Sequence, residues 1–375
     1  MRNKRVVTAL LTAAMSVSLT ACGNSSKGTE TSVQPETSVQ PEQKVEAVTE
    51  TTAVSDGTYQ VDGCDPVKVV LPTAVSGAAL ESKYLEQWMA DVTERSNGQI
   101  TFDYTNGGAL GSFDELLEGT DSGVYDMSLI TLSYYETYVP EAEILSFPFL
   151  MMDYDDTHDV LDGEIGDWLK EKTLANTNTG WMGYLMCYFR YINSSTPIET
   201  LDDCKDVLIR VPTTQITIDT FDKMGFSTVP LPFADIYTAM STGVVNAVET
   251  SGESIYNYGF CDFAKYVCKS NHQPIIESVI YNQDFWNSLP EVYQQIMTDA
   301  MNDMLVEEWK ASQENEAGFC DLLEKEKGVT VTEFNDDAKA QLKEMFKDYW
   351  SEKAEAISPE MTEKLNVAIE IVNNN

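Results

Sequence analysis

Arginine is scarce in this 375-residue chain. Beyond the first 22 residues only Arg95, Arg190 and Arg210 remain, and the other cations are lysines. Lysine is a compact, strongly hydrated charge suited to solvated surfaces, whereas the planar fork of arginine holds a carboxylate through two parallel hydrogen bonds. Histidine is scarcer still, with only His158 and His272, and no C-x-x-C is present, which argues against a zinc cluster, so no metal site is expected. Neither G-x-S-x-G nor G-K-[ST] occurs, and no cofactor fingerprint is found. An exported enzyme would need a nucleophile–base pair or paired carboxylates, and only the second could arise here, by chance among 61 acids.

No apolar run after residue 22 is long enough to span a bilayer. The run before it, Val6 to Ala21, follows a basic segment (Arg2, Lys4, Arg5) and has the length of a secretory signal core. It ends in Leu19-Thr20-Ala21-Cys22, which resembles a bacterial lipobox, so Cys22 is the expected site of lipidation. Two acyl chains on Cys22 would hold the protein at the membrane through the lipid alone. Gly23 to about Asp62 contains a tandem TSVQPE repeat and no aromatic residue before Tyr59, the composition of a disordered tether. Without Arg2, Lys4 and Arg5 the chain holds 21 basic against 61 acidic residues, a net charge of −40. Nucleic acid and anionic lipid are poor partners for such a surface. An anionic ligand must therefore be caught by a local, buried cation.

Six cysteines remain besides Cys22, with a scattered spacing that suggests buried residues more than a disulfide framework, and no bridge is assigned. From about Cys64 onward strands and helices alternate, the pattern of an α/β fold. Expected strands are Val67–Leu71, Ile100–Tyr104, Met127–Leu132, Trp181–Arg190 and Val207–Val211; expected helices include Leu80–Ser96 and Asp155–Leu174. The loop Asn106 to Gly111 lacks a lysine, and Ser112 with Glu115 reads as a helix capping box instead of a phosphate cradle. Between Pro290 and Glu316 the apolar spacing predicts one helix of about 25 residues or more, long enough to brace two lobes.

The central segment places Arg210 at the end of the apolar run Leu208 to Val211, before Pro212 and a Thr213-Thr214-Gln215 turn. With ERSNGQI (Glu94 to Ile100), GGALGS, DELLE, YVPEAEILSFPFL (Tyr138 to Leu150), Phe189-Arg190, PLPFADIYTAMSTGVVNAVE, SNH (Ser270 to His272) and FWNSLP, the ordered series resembles the solute-binding proteins of tripartite ATP-independent periplasmic (TRAP) transporters, the DctP-like family. The resemblance covers about Val67 to Lys347 and implies a two-lobe periplasmic-binding-protein-like (type II-like) α/β fold with a long helix spanning both lobes. It also implies a small carboxylate ligand, no cofactor, and delivery to TRAP membrane permease subunits driven by an ion gradient. The expected division is a signal peptide over 1–21, a tether over 22–62, lobe I over 63–187 plus 276–315, and lobe II over 188–275 plus 316–375. Hinge closure would fall near Cys187 to Tyr191 and Asn271 to Ile276.

By the same resemblance Arg210 clamps the ligand carboxylate, Arg190 is the second family arginine, Thr213 occupies a position that often hydrogen-bonds ligand, and Phe233 is the motif aromatic. Thr250 stands where the family has asparagine. Ser133, Tyr134 and Tyr188 complete the expected lining. Successive strand side chains alternate, so Tyr134 and Tyr135 cannot both face the cleft. Each site residue has a plainer reading as well: Arg210 as a surface ion pair, Arg190 as a brace for the site, Phe233 as packing beneath it, His272 as a structural residue. Sialic acid is disfavoured, because Ile130 to Tyr134 lacks the charged residues such a ligand needs. Four-carbon dicarboxylates, keto or hydroxy acids and aromatic acids remain. A ligand-sensing module for a signalling receptor would share the pocket and differ only in its partner.

Overall fold

The computed structural model describes residues 59–374, leaving aside the side chain of Cys187. The expected signal peptide, Cys22 and nearly all of the expected tether lie outside the described residues. The tether's last residues are already packed. Val61 is buried, and the Tyr59 hydroxyl donates to Asp299 Oδ2 at 2.8 Å.

In chain order, β1 (Val67–Pro72), α1 (Leu80–Arg95) and β2 (Ile100–Thr105) form a parallel unit with Val67 opposite Ile100. α2 (Phe113–Asp121) opens on Ser112, whose N–H donates to Glu115 Oε2 at 2.8 Å, the expected capping box. β3 (Met127–Thr131), α3 (Tyr154–Leu161), α4 (Glu164–Asn176), β4 (Thr179–Trp181) and β5 (Leu185–Ser194) follow. The next stretch runs β6 (Leu208–Val211), α5 (Gln215–Met224), β7 (Ser227–Pro230), α6 (Ile236–Ser241), β8 (Ala247–Ser251), α7 (Gly252–Asn257) and β9 (Tyr266–Cys268). β10 (Pro274–Asn282), α8 (Gln283–Ser288), α9 (Glu291–Lys327), β11 (Thr330–Thr332), α10 (Asp336–Ile357) and α11 (Pro359–Asn374) complete the chain.

β5 joins two sheets. Its first half pairs antiparallel with β10, which also carries β3 and β4; the register slips at Cys187. Its second half pairs with β8 on one side and β9 on the other, within the order β11-β9-β5-β8-β6-β7. The result is a two-lobe α/β fold with one strand running through both lobes.

α9 is the second continuous link. It has 37 residues, so it is about 55 Å long at 1.5 Å per residue, longer than its apolar spacing indicated. Tyr293, Ile296, Met297, Ala300, Met301 and Met304 form a buried stripe with three- and four-residue steps. α1 packs on this stripe through Leu85, Trp88, Met89 and Val92, and the Trp88 indole donates to Met297 O at 3.1 Å. The stripe continues as Glu308, Ser312 and Glu316, all buried. Polar residues suit this part because β5 lies beneath it with an open edge. Glu308 Oε2 accepts from Met186 N at 3.3 Å, and Glu316 Oε1 accepts from Phe189 N at 3.1 Å and the Tyr191 hydroxyl at 2.7 Å. Backbone donors that would otherwise be buried without partners are thereby satisfied.

Two expected elements are interrupted. The strand expected over 181–190 breaks into β4 and β5, because α9 sits against the linking residues: Trp309 donates to Tyr184 O at 2.7 Å, and a Cβ on Gly183 would lie 2.5 Å from Leu305 Cδ1. The helix expected over 155–174 divides at Asp162-Gly163 into α3 and α4. Gly166 then lets α4 fold back, since a Cβ there would lie 1.8 Å from Leu161 O. The segment after β3 is also not a strand; Leu132–Thr137 forms a 3-10 turn. Cys64, Cys204, Cys261, Cys268 and Cys320 are free thiols.

Burial pushes the Glu308 carboxyl up to about 8, against the opposing pull of its bonds from Ser312 and Met186. A carboxyl raised in the folded state favours folding below its unfolded value, and that contribution is lost as pH rises through the folded value. Thermal unfolding should therefore show a melting temperature that falls between about pH 5 and pH 8, by a stability change on the order of a few kcal/mol. Glu308→Gln should flatten that slope. A melting temperature that rises over this range, or a variant with the parent slope, contradicts the assignment.

Candidate ligand-binding site

The charged centre of the protein forms where β5, β6 and β8 run together. Glu249 on β8 has no exposed surface. Burial alone would raise its carboxyl, but Arg190, His272 and Arg210 outweigh burial and hold it down at about 2. Arg190 on β5 places Nη1 3.0 Å from each Glu249 oxygen. His272 precedes β10 and places Nε2 3.3 Å from Glu249 Oε2, while its Nδ1 lies 2.8 Å from Ser270 Oγ. Burial lowers the His272 pKa despite the neighbouring carboxylate, so the imidazole is neutral at neutral pH. The tautomer that satisfies both nitrogens donates from Nε2–H to Glu249 and accepts at Nδ1 from Ser270.

Arg210 is treated differently. It is the next-to-last residue of β6 and is 3% exposed, its Nε donates to Leu231 O at 2.8 Å, and its Nη1 stops 3.9 Å from Glu249 Oε1. That separation is an ion pair without a hydrogen bond. Burial lowers Arg210 to about 10 even though Glu249 pulls the other way, with Arg190 adding repulsion. The group stays cationic at neutral pH, desolvated and without a close anionic partner. A carboxylate is the ligand group that would satisfy its remaining fork.

Tyr134 and Tyr135 separate as expected, although on a 3-10 turn and not a strand. Tyr135 is fully buried, with its hydroxyl 2.6 Å from Thr179 Oγ1 and its ring against Trp181. Tyr134 packs on Phe113 with its hydroxyl within electrostatic reach of both Arg190 and Arg210, and Ser133 is half-buried beside it. Thr213 is exposed in the turn after β6. Phe233 is 39% exposed, edge-on to Tyr258 at 5.0 Å. Thr250 is buried opposite Tyr191 in register, so it points to the other face of the strand from Glu249. Tyr188 is buried and its hydroxyl accepts from Asn315 of α9 at 2.8 Å. The structure thus gathers Arg190, Arg210 and Tyr134 around Glu249, leaves Thr213 and Phe233 in exposed positions, and turns Thr250 and Tyr188 elsewhere.

Sequence reasoning passed over Glu249, the residue at the centre. Its signal was a single acid at the end of the apolar run Val244 to Val248, facing an arginine-poor chain. Among the described residues no group of three or more His, Cys, Asp and Glu is placed to hold a metal ion. An open depression of about 350 Å³ lined by His158, Asp159, Asp162, Ile371 and Asn374 includes none of these charged groups. No helix of the described residues is long and apolar enough to cross a membrane.

Two α/β lobes joined by a continuous strand and a long helix, with a desolvated arginine at a strand end, are the architecture of a periplasmic solute-binding protein. The chain belongs to the DctP family, described as bacterial extracellular solute-binding protein, family 7, which matches over residues 73–356. It is 26% identical over 266 residues to the 2,3-diketo-L-gulonate-binding periplasmic protein YiaO of Escherichia coli strain K12, covering 68% of this chain and 79% of that protein. A TRAP periplasmic solute-binding protein of Ochrobactrum anthropi, whose crystal structure has its C-terminus bound in the ligand-binding pocket, superposes with a TM-score of 0.77 at 25% identity, covering 83% of this chain and 97% of that one. A TRAP periplasmic solute-binding protein of Sulfitobacter sp. NAS-14.1, solved with bound β-D-galacturonate, gives a TM-score of 0.75 at 25% identity over 81% and 100% of the two chains. These relatives are solute-binding proteins and not enzymes.

Removing the Glu249 charge would leave Arg190 and Arg210 facing each other without a counter-ion. Glu249→Gln should therefore destabilise the ligand-free protein by about 3–5 kcal/mol in urea unfolding, the usual cost of breaking a buried pair from one side. A loss below about 1 kcal/mol would mean that the carboxylate does not hold the centre together.

Proposed function

We propose that this protein captures a small organic acid by clamping its carboxylate on Arg210 and hands it to the membrane permease of a TRAP transporter. The observation that carries this reading is the contrast between the two arginines. Arg190 is held at short range, its Nη1 donating to both Glu249 oxygens while its Nε stays buried without a partner, whereas Arg210 keeps only a carbonyl on Nε and a long approach to Glu249. An incoming carboxylate would complete Arg210 without displacing Arg190. Tyr134 lies within electrostatic reach of that guanidinium, Thr213 follows the end of β6, and Phe233 follows the end of its parallel neighbour β7. Closure at the β5 crossing and the Asn271–Ile276 segment would remove water from the pair and strengthen it. The relatives solved or named with acidic sugars support an acid as ligand. Sugar acids therefore join four-carbon dicarboxylates, keto or hydroxy acids and aromatic acids in the set to be screened. Lipidation at Cys22, carried by the lipobox alone, would hold the protein near its permease.

The distinguishing variant is Arg210→Lys, which keeps the charge and removes the planar fork. For an acid identified by thermal shift, calorimetry should show binding weakened by about 2–5 kcal/mol, with circular dichroism unchanged. Arg190→Lys should cost less affinity, because Arg190 is anchored at short range on Glu249 through Nη1. Parent-like affinity in Arg210→Lys would move the clamp elsewhere.

A further inference from the structure

A second cluster of buried polar groups lies at the start of α1 and on β2, and the carboxylate clamp does not use it. Glu81 begins α1, is 8% exposed, and its Oε2 is buried with no hydrogen-bond partner among the described residues. Ser82 Oγ is fully buried and also unpartnered. The Tyr104 hydroxyl of β2 faces Ser82 and Asn106 but makes no hydrogen bond of normal geometry with either. Three further acids approach Glu81 from separate elements: Glu277 of β10, Glu253 of α7 and Glu308 of α9. Burial and these like charges together push the Glu81 carboxyl well above the ordinary range.

The chemistry of the cluster is acceptor-rich and cation-poor. A carboxylate oxygen, a hydroxyl and a phenol can each accept a hydrogen bond. The arginines are committed elsewhere: Arg95 to Asp91 and Asp303, Arg190 and Arg210 to the Glu249 centre. Lys83, the cation that eases Glu253, is exposed. A neutral hydroxyl could meet the open acceptors but would bring no counter-charge that lets the buried Glu81 carboxyl ionise. An ammonium group does both, donating three hydrogen bonds and supplying the missing positive charge. Tyr134 ties this cluster to the clamp, because its hydroxyl lies in the field of Arg190 and Arg210 and also of Glu277.

We infer that the Glu81, Ser82 and Tyr104 subsite receives the ammonium group of a zwitterionic solute whose carboxylate sits on Arg210, the two charges lying at opposite ends of the ligand. This inference rests on the clamp proposed above. It replaces a general organic acid with an acid carrying a distal amine.

Calorimetry with 4-aminobutanoate, 5-aminopentanoate and 6-aminohexanoate, each against its ω-hydroxy counterpart, tests it on the folded protein. At least one amino acid should bind about tenfold or more tighter than its hydroxy partner, as a charge-assisted contact exceeds a neutral one. Glu81→Gln, which keeps shape and removes the charge, should abolish that preference while the thermal unfolding curve shows an intact fold. Arg210→Lys should weaken both series alike. Equal or tighter binding of the hydroxy acids, no binding of any amino acid, or a preference that survives Glu81→Gln overturns the subsite. If Arg210→Lys leaves amino-acid binding unchanged while Glu81→Gln abolishes the preference, the clamp is wrong and the amine subsite stands.

Discussion

Glu249 has no contact with water, and an ionised carboxylate in that position is tolerated only when charges and donors surround it. Arg190 and His272 supply them, and each comes from a different part of the chain: β5 and the segment before β10. One buried charge thus fixes the relative positions of β5, β8 and the crossover into β10. It also determines what remains for Arg210. With Glu249 already held at short distance by Arg190, the second arginine can approach only to 3.9 Å. It stays charged, dry and incomplete. The proposed anion site rests on this unequal sharing of one carboxylate between two arginines.

The long-range frame depends on β5 and α9, which both run through the two lobes. A strand that changes partners midway exposes backbone donors at the change. Here Glu308 and Glu316 of α9 take them up, so helix and strand are tied by hydrogen bonds where an apolar stripe alone would leave N–H groups unmet. Arg190 follows directly after Phe189, whose N–H Glu316 accepts. The lobe connection and the charged centre therefore share one strand, and relative motion of the lobes would act on the site through it. Asn271 adopts a left-handed conformation with φ of 45°, a position asparagine tolerates, and its side chain donates to Met152 O beside the same crossover.

Much of this was legible in the residues because period and punctuation were strong. The 3.6-residue spacing from Val292 to Trp309 marked α9, and Ser112 with Glu115 marked the start of α2. The helix end after Lys327 was not visible, because beyond Met304 the buried stripe turns polar and Glu308 and Glu316 read as surface acids. The breaks at Gly183 and Asp162-Gly163 depend on how closely α9 and α4 approach, a tertiary matter that local pattern does not carry. Arg190 and Arg210 stood out because arginine is so rare here. Glu249 did not, since one glutamate among 61 acids has no local mark until the fold buries it. The same masking hid Glu81.

The direct measurement is a crystal structure of the protein with its cognate acid. The clamp predicts both ligand carboxylate oxygens within about 3 Å of two Arg210 fork nitrogens, with Glu249 still bound to Arg190 and His272. A complex in which Glu249 turns to Arg210 and the ligand carboxylate lies on a lysine or on Arg190 would contradict it.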